Sequence, residues 1–124
     1  MNATALSSST ALPDIDMAEL IKICEVADIA PGQMRPIDIE GLPPLAAFHV
    51  DDEIFVTSNL CTHNVAMLTD GYFSGDTVEC PLHGGCFNVK SGEATQFPCE
   101  QPLQTYAVVL QGGAVFIRKP EAAA

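Results

Sequence analysis

Two short runs of the chain pair a cysteine with a histidine, and they hold the residues best suited to chemistry. Cys61 and His63 are two positions apart, Cys80 and His83 are three apart, and 16 residues separate the two pairs. Each pair can present both ligand atoms at one end of a tight loop, so two adjacent loops would supply four ligands. Thiolate and imidazole together suit a zinc ion or an iron–sulfur cluster.

The order of these ligands and their neighbours favour the cluster over zinc. Zinc sites of this composition usually have two cysteines followed by two histidines, whereas here the two types alternate. The alternation fits a cluster in which one iron takes both cysteines and the other takes both histidines. Gly84 and Gly85 allow backbone N–H groups to approach sulfide, and Pro81 stiffens the second loop. A structural zinc module is the alternative.

The elements that must position these loops are predicted to be short strands broken by turns. Alternating, β-branched or aromatic patterns occur in residues 21–26, 34–39, 45–50, 54–58, 108–110 and 114–117. Turns at 51–53 and 111–113 predict two hairpins, and Pro36 predicts an edge or bent strand. A short helix is expected only near residues 16–20. The pattern predicts an all-β fold, an antiparallel sandwich or barrel.

The predicted domain spans residues 18–119, with flexible tails at 1–17 and 120–124. Within it, residues 59–103 are rich in glycine and proline, and they hold four of the five cysteines and two of the three histidines. A loop-rich insertion of this length inside a small β domain is uncommon unless it is functional. We therefore expect residues 59–103 to form the metal- or cluster-binding subdomain.

Composition excludes several classes of partner. Five basic against 16 acidic residues give a net charge of −11, which argues against nucleic acid and anionic membranes. This negative charge indicates either a partner with a basic face or an acidic surface that is solvated and keeps the protein soluble. No apolar run approaches the roughly 18 residues that span a bilayer, and no secretory or transit pattern is present, so a cytoplasmic protein is expected. An odd number of cysteines in a reduced compartment indicates metal ligands or small buried residues.

The motifs of the cysteine- and glycine-rich segment resemble those of Rieske proteins, specifically the soluble ferredoxins of bacterial aromatic-ring-hydroxylating dioxygenase systems. The resemblance covers residues 20–118. Its residues are NLCTH at 59–63, Ala66, Leu68, DGY at 70–72, Gly75, ECPLHGG at 79–85, Phe87 and Gly92.

The resemblance implies a Rieske-type fold and one 2Fe–2S cluster. Cys61 and Cys80 would hold the buried ferric iron, and His63 and His83 would hold the outer iron, which is the one reduced. The chain would be an electron carrier and not an enzyme. It would pass single electrons from a flavin-dependent NAD(P)H ferredoxin reductase to a terminal oxygenase, as a monomer. A nitrite reductase small subunit is a weaker alternative, because such subunits usually lack the ligands.

The same resemblance predicts a low reduction potential. High-potential Rieske proteins join a cysteine from each loop in a disulfide, and the matching positions here are Ala66 and Leu82. They also place a serine and a tyrosine hydroxyl near the cluster, where this chain has Gly85 and Phe87. Two lost donors lower the potential by on the order of 100–250 mV within a span of about −150 to +300 mV.

The remaining candidates have simpler interpretations. His49 is expected to be structural, and one spare histidine cannot supply the mononuclear iron site of an oxygenase. Cys24, Cys86 and Cys99 are expected to be small buried residues, with a redox or fifth-ligand role for Cys86 as the alternative. Tyr72 and Phe73 are either docking or packing residues. A further hypothesis is an apolar tip at Asn64, Val65 and Leu82 ringed by Asp70, Asp76, Glu79 and Glu93.

Overall fold

The computed structural model describes residues 20–62, 66–82 and 84–118, which contain eleven β-strands. The strands are β1 Leu20–Glu25, β2 Met34–Ile37, β3 Leu45–Val50, β4 Glu53–Ser58, β5 Tyr72–Ser74, β6 Thr77–Glu79, β7 Cys86–Asn88, β8 Ala94–Gln96, β9 Thr105–Tyr106, β10 Val108–Gln111 and β11 Ala114–Arg118. In the same ranges, 3-10 helices cover Val26–Asp28 and Leu68–Asp70. Within the described ranges, no helical segment has the length and apolar character that a bilayer crossing requires.

The strands of the described residues form three antiparallel sheets. One has the strand order β9-β4-β3-β2, a second has β10-β11-β1, and a third, within residues 59–103, has β5-β6-β7-β8. The all-β antiparallel prediction is confirmed. The strand with Pro36 is β2, which lies at a sheet edge as predicted, where proline's missing N–H removes no ladder bond.

Strand β3 lies between the two hydrophobic cores, and all six of its residues are buried. Successive side chains of a strand point to opposite faces. Ala46 and Phe48 accordingly join the core beneath the cysteine loops, whereas Leu45 and Ala47 join the other core. This strand therefore fixes the cysteine-rich segment against the rest of the domain.

The third sheet was not anticipated, because residues 59–103 were expected to be mainly loops. Its four strands have three residues each, too short to show a clear alternation. The predicted helix near residues 16–20 is wrong at Leu20, which begins β1 and pairs with Arg118. Residues 16–19 and both predicted tails lie outside the described residues.

Candidate functional site

The two cysteine loops are closed in the same way. The backbone N–H of Cys61 donates to the Ala66 carbonyl at 2.9 Å, and that of Cys80 donates to the Gly85 carbonyl at 2.7 Å. Each bond joins a cysteine to the fifth residue after it, so each cysteine stands at the base of a loop of equal length. His63 and His83 fall within these loops but lie outside the described residues, as do Asn64 and Val65.

A buried asparagine anchors the first loop. Asn59 Nδ2 donates to Thr69 Oγ1 at 2.9 Å, and the Thr69 backbone N–H donates to Asn59 Oδ1 at 3.0 Å. The Leu68 N–H also donates to the Asn59 carbonyl, at 2.8 Å. These bonds hold the residues before and after the loop side by side.

The second loop is the connection of a hairpin. Strands β6 and β7 flank it, with Glu79 paired to Cys86. Gly71 lies close to the start of the second loop, and a Cβ atom added to Gly71 would stand 3.0 Å from Pro81 Cδ. The absence of a side chain at Gly71 therefore lets the segment before β5 pack directly on the loop.

The two loop cysteines are adjacent and shielded from water. Cys61 is 5% exposed and Cys80 is 1% exposed. Burial raises the pKa of the Cys80 thiol, the Leu82 backbone N–H lowers it, and a side-chain hydrogen bond with Cys61 raises it again. An iron that takes two cysteines needs two neighbouring sulfurs in a dry setting, and this pair meets that requirement.

A third buried cysteine adjoins the pair. Cys99 Sγ lies 3.6 Å from Cys61 Sγ, and burial, followed by the contact with Cys61, raises the pKa of the Cys99 thiol to about 12. The sequence correctly predicted a small buried residue but not its contact with Cys61, because the two are 38 positions apart. Cys86 is half-buried and its thiol faces the Gly84 carbonyl at 3.6 Å, while Cys24 belongs to the other core.

His49 has a structural contact, as predicted. Its Nδ1 atom is 2.7 Å from the Ile29 carbonyl oxygen, which identifies Nδ1–H as the donor. The imidazole is buried in strand β3, and its bond satisfies a carbonyl in the core.

Apolar side chains are exposed around the second loop. Leu82 is 40% exposed, and Phe97, two residues before Cys99, is 75% exposed. Tyr72 is exposed, whereas Phe73 packs on Phe48 with ring centroids 5.0 Å apart. One of the two aromatic neighbours is therefore available for docking and the other is a packing residue.

The hypothesis of a four-residue acidic ring is only partly correct. Glu79 directly precedes Cys80, and its carboxylate lies near Gly84. Asp76 lies at the opposite end of β6, where it contacts Asn88, and Glu93 binds Ser91 in the turn that follows β7. Asp76 and Glu93 are thus displaced from the second loop.

Residues 19–107 match the family model described as the Rieske [2Fe-2S] domain. Because the match covers more than half of the chain and the buried cysteine pair suits an iron–sulfur centre, the chain belongs to the Rieske family. Its cofactor is the family's single 2Fe–2S cluster, as the sequence predicted.

Several of the similar proteins are named as ferredoxins. The 3-phenylpropionate/cinnamic acid dioxygenase ferredoxin subunit of Escherichia coli (strain K12) is 42% identical over 103 residues, 82% of this chain and 95% of that protein. The solved Sphingomonas yanoikuyae B1 ferredoxin is 47% identical, with a TM-score of 0.78 over 81% of this chain and 98% of that one. A chain from the complex of reduced oxygenase and oxidized ferredoxin in carbazole 1,9a-dioxygenase is 36% identical, with a TM-score of 0.78 over 86% and 98%. These relatives agree with the expectation of an electron carrier and not an enzyme.

Proposed function

We propose that this chain is the ferredoxin of a multicomponent aromatic-ring dioxygenase. It takes single electrons from a flavin-dependent NAD(P)H ferredoxin reductase and passes them to the terminal oxygenase. The observation that carries the proposal is the pair of equally closed loops, each beginning at a buried cysteine, Cys61 or Cys80. The similarity to a ferredoxin solved with its oxygenase supports the second partner.

The proposed ligands are Cys61, His63, Cys80 and His83. When bound, the cluster supplies a site that gains and loses one electron. Cys61 and Cys80 hold it in a dry core, and the Leu82 backbone N–H lowers the pKa of the Cys80 thiol. This amide stabilises negative charge on the ligand.

Docking would use the apolar surface beside the second loop, formed by Leu82 and Phe97. Both side chains are exposed and not buried in the core, and both lie on segments adjoining the cysteine site. The net charge of −11 would speed encounter with a basic partner face. Brief contact suits a carrier that must alternate between reductase and oxygenase, and we propose that it works as a cytoplasmic monomer.

The ligand assignment is tested by exchanging each histidine separately, with His63→Cys and His83→Cys. Each variant should retain some cluster, and its potential should fall by hundreds of millivolts toward the range of all-cysteine clusters. His49→Asn is the matched control, since the amide can replace Nδ1 as donor to Ile29 and the potential should not move. An unchanged potential in either ligand variant would remove that histidine from the site, and a colourless zinc protein would contradict the whole proposal.

The partners are tested by electron transfer with purified components. The reduced chain should transfer electrons to a ring-hydroxylating terminal oxygenase, and a flavin-dependent NAD(P)H reductase should reduce it. Leu82→Ser and Phe97→Ser should slow transfer to the oxygenase while leaving the visible spectrum unchanged. Leu110→Ser, on the exposed edge strand β10, is the control for loss of an apolar surface residue elsewhere. Equal rates in all three variants would exclude the surface of Leu82 and Phe97 as the docking site.

A further inference from the structure

Cys99 is held against the site by its own turn. Its backbone N–H donates to the Gln96 carbonyl at 3.2 Å, and the residue is 4% exposed. Its Sγ atom lies 3.6 Å from Cys61 Sγ, within the distance of a hydrogen bond that involves sulfur. Cys99 is not among the four proposed ligands, so this contact is unexplained by the proposed function.

The direction of the hydrogen bond follows from ligation. A cysteine that binds iron has lost its proton, so a metal-bound Cys61 can only accept. Cys99 is not a proposed ligand, so it retains an S–H group that can donate. The S–H group is a weak donor, but its acceptor here is charged and out of water.

Gly85 makes the contact possible. A Cβ atom at Gly85 would stand 2.3 Å from Cys99 Sγ and 2.9 Å from the Cys99 backbone nitrogen. Any side chain at residue 85 would therefore displace the thiol from Cys61. Gly85 is also the residue whose carbonyl closes the second loop on Cys80, so Cys99 packs between the two loops.

We propose that Cys99 is a positioning residue whose thiol donates a hydrogen bond to the Cys61 sulfur and raises the reduction potential of the centre. The inference rests on the proposed ligation by Cys61. Reduction adds one negative charge to the centre, and a donor fixed beside a ligand sulfur stabilises the reduced state more than the oxidised state.

The test compares Cys99→Ala and Cys99→Ser with the wild-type protein. The readouts are iron content, visible circular dichroism and the midpoint potential from a redox titration that follows the cluster's own spectrum. Cys99→Ala should weaken reduction about tenfold, which for one electron is about 59 mV. Cys99→Ser retains a donor of similar size, so its potential should lie above that of Cys99→Ala. Cys86→Ala is the control, because it removes a nearby thiol that faces the Gly84 carbonyl instead of a proposed ligand.

Three results would overturn the inference. Equal potentials in the wild type and Cys99→Ala would show that the thiol does not act on the centre. Equal losses in the alanine and serine variants would show that packing, not a hydrogen bond, sets the potential. Loss of the cluster from both variants would make Cys99 a structural support or a ligand. If the wild-type protein itself lacked a Rieske spectrum, the proposed function would fail first, so the two failures are distinguishable.

Discussion

Gly71→Ala should disturb the cluster site without altering any proposed ligand. A Cβ atom at this position would stand 2.0 Å from the Glu79 carbonyl oxygen and 3.1 Å from the Pro81 nitrogen. Real Cβ atoms essentially never approach closer than 3.0 Å, so the two segments must separate by about 1 Å. Both contacts are with backbone atoms, so a side-chain rotation cannot relieve them.

The residues that must move are the two neighbours of Cys80. Metal sites accept ligand distances within about 0.2 Å of ideal, and the required shift is about five times larger. We expect the overpacking to lower the free energy of unfolding by about 1–3 kcal/mol. We also expect cluster affinity to fall about 10–100-fold, as it does when the groups supporting metal ligands are lost. Iron per chain and the rate of cluster loss to a chelator measure this effect.

Gly75→Ala is the matched control. Gly75 lies in the turn at the far end of β6, where an added Cβ would meet open space, but its φ of +64° disfavours a side chain. The substitution should cost about 1–2 kcal/mol of stability and leave the cluster in place. Equal cluster retention in the two alanine variants would refute the steric reasoning about Gly71.

Three further predictions concern the anchors of the site and its charge. Asn59→Ala removes both side-chain bonds with Thr69 and should lower the free energy of unfolding by about 1–3 kcal/mol in urea titrations, with faster cluster loss; an unchanged transition would contradict the anchoring role. His49→Phe leaves the Ile29 carbonyl without its donor and should also lower the free energy of unfolding by about 1–3 kcal/mol, with the visible spectrum unchanged. Loss of the cluster would contradict a purely structural role. The rate of electron transfer to the oxygenase should fall as salt rises from low ionic strength toward 0.1 M, where the screening length is about 10 Å, and a rate independent of salt would remove the steering role of the acidic surface.

Local patterns were sufficient to predict most of the strands outside the cysteine-rich segment. The two predicted hairpins correspond to β3–β4 and β10–β11, because each combines strand-forming residues with a tight turn. The sequence of β3 did not show that it lies between two cores. Ala46 and Ala47 are small enough to fit on either side, and alternation of polarity is absent when both faces are buried.

The third sheet and the acidic residues show where proximity in sequence misleads. Strands of three residues contain less than two full alternations, so β5 to β8 could not be distinguished from loop. Asp76 is four residues from Cys80, but an extended strand advances about 3.3 Å per residue, so β6 carries Asp76 roughly 10 Å from Glu79. A residue can therefore lie in the cysteine-rich segment without lying near the tips of the cysteine loops.

Cys99 changes the meaning of the predicted low potential. That prediction counted only hydroxyls at positions 85 and 87, and both are absent because the residues are Gly85 and Phe87. The space left by the missing side chain at Gly85 holds the Cys99 thiol, supplied by a residue 14 positions further along the chain. A thiol is a weaker donor than a hydroxyl, so it would offset the missing hydroxyl in part. If Cys99 donates as proposed, the low reduction potential predicted from the two missing hydroxyls is the one that Cys99→Ala should show. The reduction potential of the wild-type protein should lie above it.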